Sequence, residues 1–140
     1  MFTALPRGER ADQPAALTAR ARRSALAASA VGAFMAGIVA GAALAPVHTT
    51  DLELATLLRF MALIKAGLAA GAGTLAAWRF GWEISPRLAM GYTAAVALMA
   101  LSPGLIWFAT GLVVASALFH AGLLIGLATA AGDGLANQRK

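Results

Sequence analysis

An all-α fold, an integral membrane bundle of four transmembrane helices with both termini cytoplasmic, is predicted by three features of the sequence. The 140 residues are 60% hydrophobic and only 12% charged, whereas soluble domains are about a quarter charged. Uncharged or nearly uncharged stretches recur at lengths near the roughly 20 residues that a helix needs to cross a bilayer. The basic residues sit between and beyond those stretches, and a four-span path gathers them on one side.

One domain is expected, in three parts: a basic cytoplasmic or interfacial segment 1–23, a membrane domain 24–132 with spans near 24–45, 57–78, 86–102 and 104–131, and a polar cytoplasmic tail 133–140. Residues 1–23 hold five arginines and two acids and stay outside hydrocarbon. A helix start is read at Asp12 or Gln13 ahead of Pro14, because proline at the first helical position lacks only an N–H that would be unpaired anyway. That helix runs into the first span and sets Arg20, Arg22 and Arg23 at the lipid headgroups, where basic side chains snorkel.

The first span, Ser24 to Ala45, carries no charge. Ala25, Ser29, Ala33, Gly37, Gly41 and Ala45 recur every four residues along one face. In lipid, helices attract through close van der Waals packing, so such a face marks a helix contact, with another helix of this chain or with another subunit. A signal peptide ending at Ala43-Leu44-Ala45 is the competing reading, opposed by Pro46 directly after the cut.

Pro46 to Thr56 reads as a loop with His48, Asp51 and Glu53 and no basic residue. The second span, Leu57 to Trp78, holds Arg59 near its outer end and Lys65 well inside. A central lysine costs roughly 2.5–3.5 kcal/mol on insertion, which the apolar residues of this span about offset. Gly67 and Gly71 form a second small-residue pair, and Trp78 and Trp82 resemble an interfacial aromatic belt. The turn from Arg79 to Arg87 ends in Ser85-Pro86, a helix cap followed by a proline at the first position.

Leu88 to Gly132 is 45 residues without a charge, twice what one span needs. It reads as a hairpin whose turn falls at Ser102-Pro103-Gly104, since proline ends helices and glycine turns them. A turn near Thr110-Gly111, with Pro103 as a kink, is the alternative. The fourth span holds the pair Gly122 and Gly126 and ends at Asp133-Gly134. The N-terminus, the Arg79–Arg87 turn and Arg139-Lys140 then share the cytoplasmic side. Nine arginines against two lysines, with abundant alanine, suggest GC-rich bacterial coding and an inner membrane.

The chemistry-bearing residues are few. Without cysteine there is no disulfide, thiolate metal site or thiol nucleophile. The positive charges form no stripe with interleaved aromatics, so nucleic acid is not an expected partner. All six acids are read into loops or ends, and no nucleophile stands with a base, so neither an enzyme nor a proton relay is expected. No metal site is expected. His48 lies in the outer loop and His120 about 16 residues, or roughly 24 Å, below the outer turn, so the two cannot clamp one haem. His120, with Met90 as its one conceivable partner, stays a weak cofactor candidate; no cofactor is implied. Arg59 is expected to snorkel, whereas Lys65 lies opposite Thr93 and Tyr92 with no acid at its level and calls for an acceptor outside the chain.

The leading expectation is a non-catalytic accessory or assembly subunit of a larger membrane complex, such as an energy-converting one. Lys65, Arg59, Gly37, Gly41, Gly67, Gly71, Gly122 and Gly126 would contact lipid or partner subunits. A small homo-oligomeric transporter or channel comes second, and a haem-bearing electron-transfer anchor third.

Overall fold

A computed structural model describes residues 9–45 and 51–137 of the chain. These residues form four helices: α1 (Glu9–Ala43), α2 (Leu52–Arg79), α3 (Pro86–Trp107) and α4 (Leu112–Asn137). Each holds a stretch long and apolar enough to cross a membrane, namely Thr18–Ala43, Leu52–Arg79, Pro86–Trp107 and Leu112–Gly134. His48 and the basic pair Arg139-Lys140 lie outside the described residues.

Local chemistry explains the helix starts. Asp51 caps α2, its side chain accepting from the Glu53 N–H at 3.2 Å, so α2 begins five residues before the predicted span. An aspartate whose oxygen takes up an orphan N–H makes a helix start out of what reads as loop. Ser85 caps α3 as its sequence predicts, accepting from the Leu88 N–H at 3.4 Å with Pro86 in the first turn. The first helix is continuous from Glu9, with no break at the 23/24 boundary.

The hairpin turn falls at the alternative position near Thr110-Gly111 and not at the preferred Ser102-Pro103-Gly104. Ser102, Pro103 and Gly104 lie inside α3 and are buried, and the chain reverses at 108–111. Phe108 ends the helix, Ala109 takes a left-handed φ of 56°, its N–H bonds the Ile106 carbonyl at 3.0 Å, and the Thr110 N–H bonds the Leu105 carbonyl at 3.0 Å. That paired pattern is the Schellman motif. Gly111, with φ 53°, then opens α4 by accepting from the Ala115 N–H at 2.8 Å. Proline inside a helix removes one backbone bond, but packed neighbours make it tolerable in an apolar bundle. The other end of the hairpin is also longer than predicted, because α4 continues past Asp133-Gly134 to Asn137.

Helix α3 is the hub, packed along α1, α2 and α4, while α1 and α2 barely meet. Its seams with α1 and α4 are built on glycine. A Cβ on Gly37 would overlap the Leu101 carbonyl, one on Gly104 would overlap the backbone of Gly37 and Ile38, and one on Gly41 would lie 2.7 Å from the Gly104 carbonyl. On the other side, a Cβ on Gly122 would lie 2.7 Å from the Ala95 carbonyl. Bare backbones in contact gain dispersion that any side chain would push out of range. The core follows α3 in three clusters: Leu26, Ala76, Phe80, Ile84 and Val96 at the end carrying Arg79; Ala69, Met99 and Phe119 in the middle; and Leu58, Ala62, Leu105, Ile106 and Ala115 at the end carrying Asp51.

Candidate functional site

The α2–α4 side of the bundle carries most of the polar chemistry, at two levels. At the Arg79 end, the Arg79 Nε and Nη2 donate to the two carboxylate oxygens of Asp133 at 2.5 and 2.7 Å, and the Tyr92 hydroxyl donates to Oδ2 at 3.4 Å. The pair is mostly buried, with 25% and 12% of the side chains exposed. A bidentate guanidinium–carboxylate fork of this kind is stronger than a neutral hydrogen bond and fixes orientation. It fastens the last turn of α2 to α4 and leaves the carboxylate committed to its partners. Beside it opens a pocket of about 550 Å³ lined by Trp78, Arg79, Trp82, Glu83, Asp133 and Gly134, with the two tryptophans edge to face at 6.3 Å. An apolar groove of about 370 Å³ continues from it between α2 and α4.

In the middle of α2, the Lys65 Nζ stands 4.9 Å from the centroid of the Phe119 ring. An ammonium within about 6 Å of a ring face is attracted by the ring quadrupole, more strongly out of water. Phe119 in turn meets His120 edge to face at 6.0 Å. The His120 Nδ1 lies 2.7 Å from the Ser116 carbonyl. A carbonyl only accepts, so Nδ1 carries the hydrogen and a neutral ring keeps Nε2 as a free acceptor. His120 is exposed on the bundle surface.

This geometry corrects two expectations. With the turn at 108–111, His120 lies only eight residues into α4, about 12 Å from its start, at mid-bundle instead of near the inner interface. Tyr92 and Thr93 do not lie opposite Lys65, because Tyr92 reaches Asp133 and the group facing the lysine is Phe119. Met90 is exposed near the start of α3, two residues from Tyr92. Tyr92 bonds Asp133, and His120 precedes Asp133 by 13 residues of α4, about 20 Å of helix, so Met90 and His120 do not stand at one level. Among the described residues, no three acids or histidines gather where a metal ion could sit.

The remaining predicted residues divide between inside and outside. Gly37, Gly41 and Gly122 are buried against α3, and a Cβ on Gly126 would lie 3.5 Å from Ala95 Cβ. Gly67 and Gly71 are exposed, with nothing near the position of an added Cβ. Arg59 holds its guanidinium carbon 5.6 Å above the Trp107 ring. Arg20 is exposed and Arg22 half-buried, while the Arg23 Nε donates to the Ala77 carbonyl at 2.9 Å and bridges α1 to α2. Trp78 and Trp82 are exposed at that same end.

Three functional contacts escape a reading of the sequence. The partner of Arg79 lies 54 residues away at Asp133, and Asp-Gly there reads as a helix stop. Phe119 carries no sign that it faces a cation. Thr110, buried in the turn, donates to the Leu105 carbonyl at 3.2 Å and stands 3.4 Å from that of Gly41, a link that only the correct turn position reveals. Compared with protein families, curated proteins and solved structures, the chain matches none.

Proposed function

We propose that this is a multi-pass protein of a bacterial inner membrane, its Arg79 end cytoplasmic, that serves as a non-catalytic accessory or assembly subunit of a larger membrane complex, such as an energy-converting one. The observation that carries the reading is the mid-bundle pair of Lys65 and His120. One is a cation resting on a ring and the other an acceptor nitrogen on the exposed surface. Among the described residues the sole ion pair, Arg79–Asp133, lies elsewhere. An ammonium and an imidazole at hydrocarbon depth mark functional contact, because lipid tails offer neither charge nor hydrogen bonds. A carboxylate or hydroxyl on a partner helix meets both needs.

A homo-oligomeric transporter or channel is the second reading, favoured by the outward pair Gly67 and Gly71 on α2, a face on which a second copy could pack. Purification of the tagged protein in gentle detergent separates the two: a stoichiometric foreign subunit is expected, and a pure homo-oligomer overturns the accessory reading. Lys65→Met, which keeps the length and removes the charge, is expected to leave the bundle folded and to release the partner; retention of every partner removes Lys65 from the interface. Orientation is read in the otherwise cysteine-free chain, where an impermeant thiol reagent on intact cells is expected to label Asp51→Cys and not Glu83→Cys.

A further inference from the structure

We propose that the cleft between α1 and α2 binds one anionic phospholipid, with an acyl chain along the cleft and the phosphate on Arg23. The proposal rests on the membrane reading above and does not depend on the accessory role. Because α1 and α2 barely touch, a cleft opens between them over a floor of α3. It comprises cavities of about 500 and 260 Å³ that share Phe34, Ala66 and Pro103 and so join end to end. On α1 it runs from Arg23 to Ile38, and on α2 from Ala77 to Ala62, about 22 Å of helix. That exceeds the roughly 15 Å depth of one leaflet's hydrocarbon. The α2 wall consists largely of alanine and glycine, with Thr74 the one hydroxyl, and that hydroxyl donates to the Ala70 carbonyl within its own helix. Nothing along the cleft asks for a polar ligand until its end.

At that end stands Arg23, the one charged residue lining the cleft. Its Nε is held by the Ala77 carbonyl, its Nη2 lies beside Gly81, and the sole ion pair among the described residues does not include it. A guanidinium that lines the end of an apolar cleft, held there by one N–H and with no carboxylate beside it among the described residues, complements a phosphate diester in charge and in hydrogen bonding. A helix of another chain fits less well, because a cylinder about 10 Å across would have to displace the Arg23–Ala77 bridge, whereas a single acyl chain runs beneath it.

The test is native mass spectrometry of the full-length protein, purified from membranes and titrated in micelles with dioleoyl phosphatidylglycerol or dioleoyl phosphatidylcholine. One phosphatidylglycerol is expected to bind, preferred over phosphatidylcholine by about fivefold, the effect of one arginine on an anionic headgroup. Arg23→Gln is expected to abolish the preference. Ala70→Leu, on the exposed rim of the cleft, is expected to lower binding of both lipids. Arg87→Gln, at an exposed position outside the cleft, is expected to change neither. Equal binding of the two lipids, an equal loss in Arg87→Gln and Arg23→Gln, unchanged binding in Ala70→Leu, or a lipid-free dimer of the chain would each overturn the site. A chain recovered in the aqueous fraction of cells would instead overturn the membrane reading, so the two failures are distinguishable.

Discussion

The seams of α3 with α1 and α4 and the seams around α2 are held by different physics. Along α3, glycines bring backbone against backbone at Gly37–Leu101, Gly41–Gly104 and Gly122–Ala95. Around α2, long cations reach across instead: Arg23 to the Ala77 carbonyl, Lys65 to Phe119, Arg79 to Asp133 and Arg59 to Trp107. Glycine contacts are short-ranged and leave no room, so those seams are tight. Cationic reach tolerates distance, and every cavity described above borders α2. The comparison teaches that the open space of the bundle gathers around α2.

The largest expected effect breaks the tight seam. Gly104→Val sets a branched side chain into the backbone of Gly37 and Ile38 and is expected to cost upwards of about 3 kcal/mol. Gly71→Leu, on the open face of α2, is expected to stay within about 0.5 kcal/mol. Thermal unfolding in one detergent measures both, and equal losses would erase the distinction between the seams. Second comes the electrostatic seam. Asp133→Asn removes the charge that faces Arg79 and is expected to cost roughly 1.5–3 kcal/mol, with crosslinking between cysteines placed on α2 and α4 falling while α1–α3 crosslinking persists. Loss of both crosslinks together would mean that α2 is not independently held. The smallest effect sharpens the comparison at the α3–α4 turn. Ala109→Gly relieves a left-handed alanine and is expected to raise stability by about 1 kcal/mol; a lower unfolding temperature would count against the Schellman turn.

The four helices were legible because length and lack of charge suffice for them, and Ser85-Pro86 announced its own helix start. The turn was legible only as the alternative at Thr110-Gly111, since Ser-Pro-Gly signals reversal in water, and here the same residues serve as the thin point where α1 crosses α3. Nor does any rule of composition place alanine in a left-handed turn, where glycine is the usual choice. At the mid-bundle site the lysine was conspicuous but its companion was not, because a phenylalanine reads as core packing until a cation is seen above it. The misplaced turn also carried His120 to the wrong depth, so one error of loop position became an error about chemistry.

The hub position of α3 also bears on how the chain is made. Synthesis delivers α1 and α2 first, and these two have little to hold each other with. As membrane spans they would wait as separate helices in the lipid, free to diffuse apart as far as their short connection allows. Only when α3 arrives does α1 gain its glycine seam, and only with α4 does Arg79 gain its carboxylate. The order of birth thus leaves α1 and α2 without the helix they pack against until α3 emerges, and the Arg79 side chain without its carboxylate until α4 does.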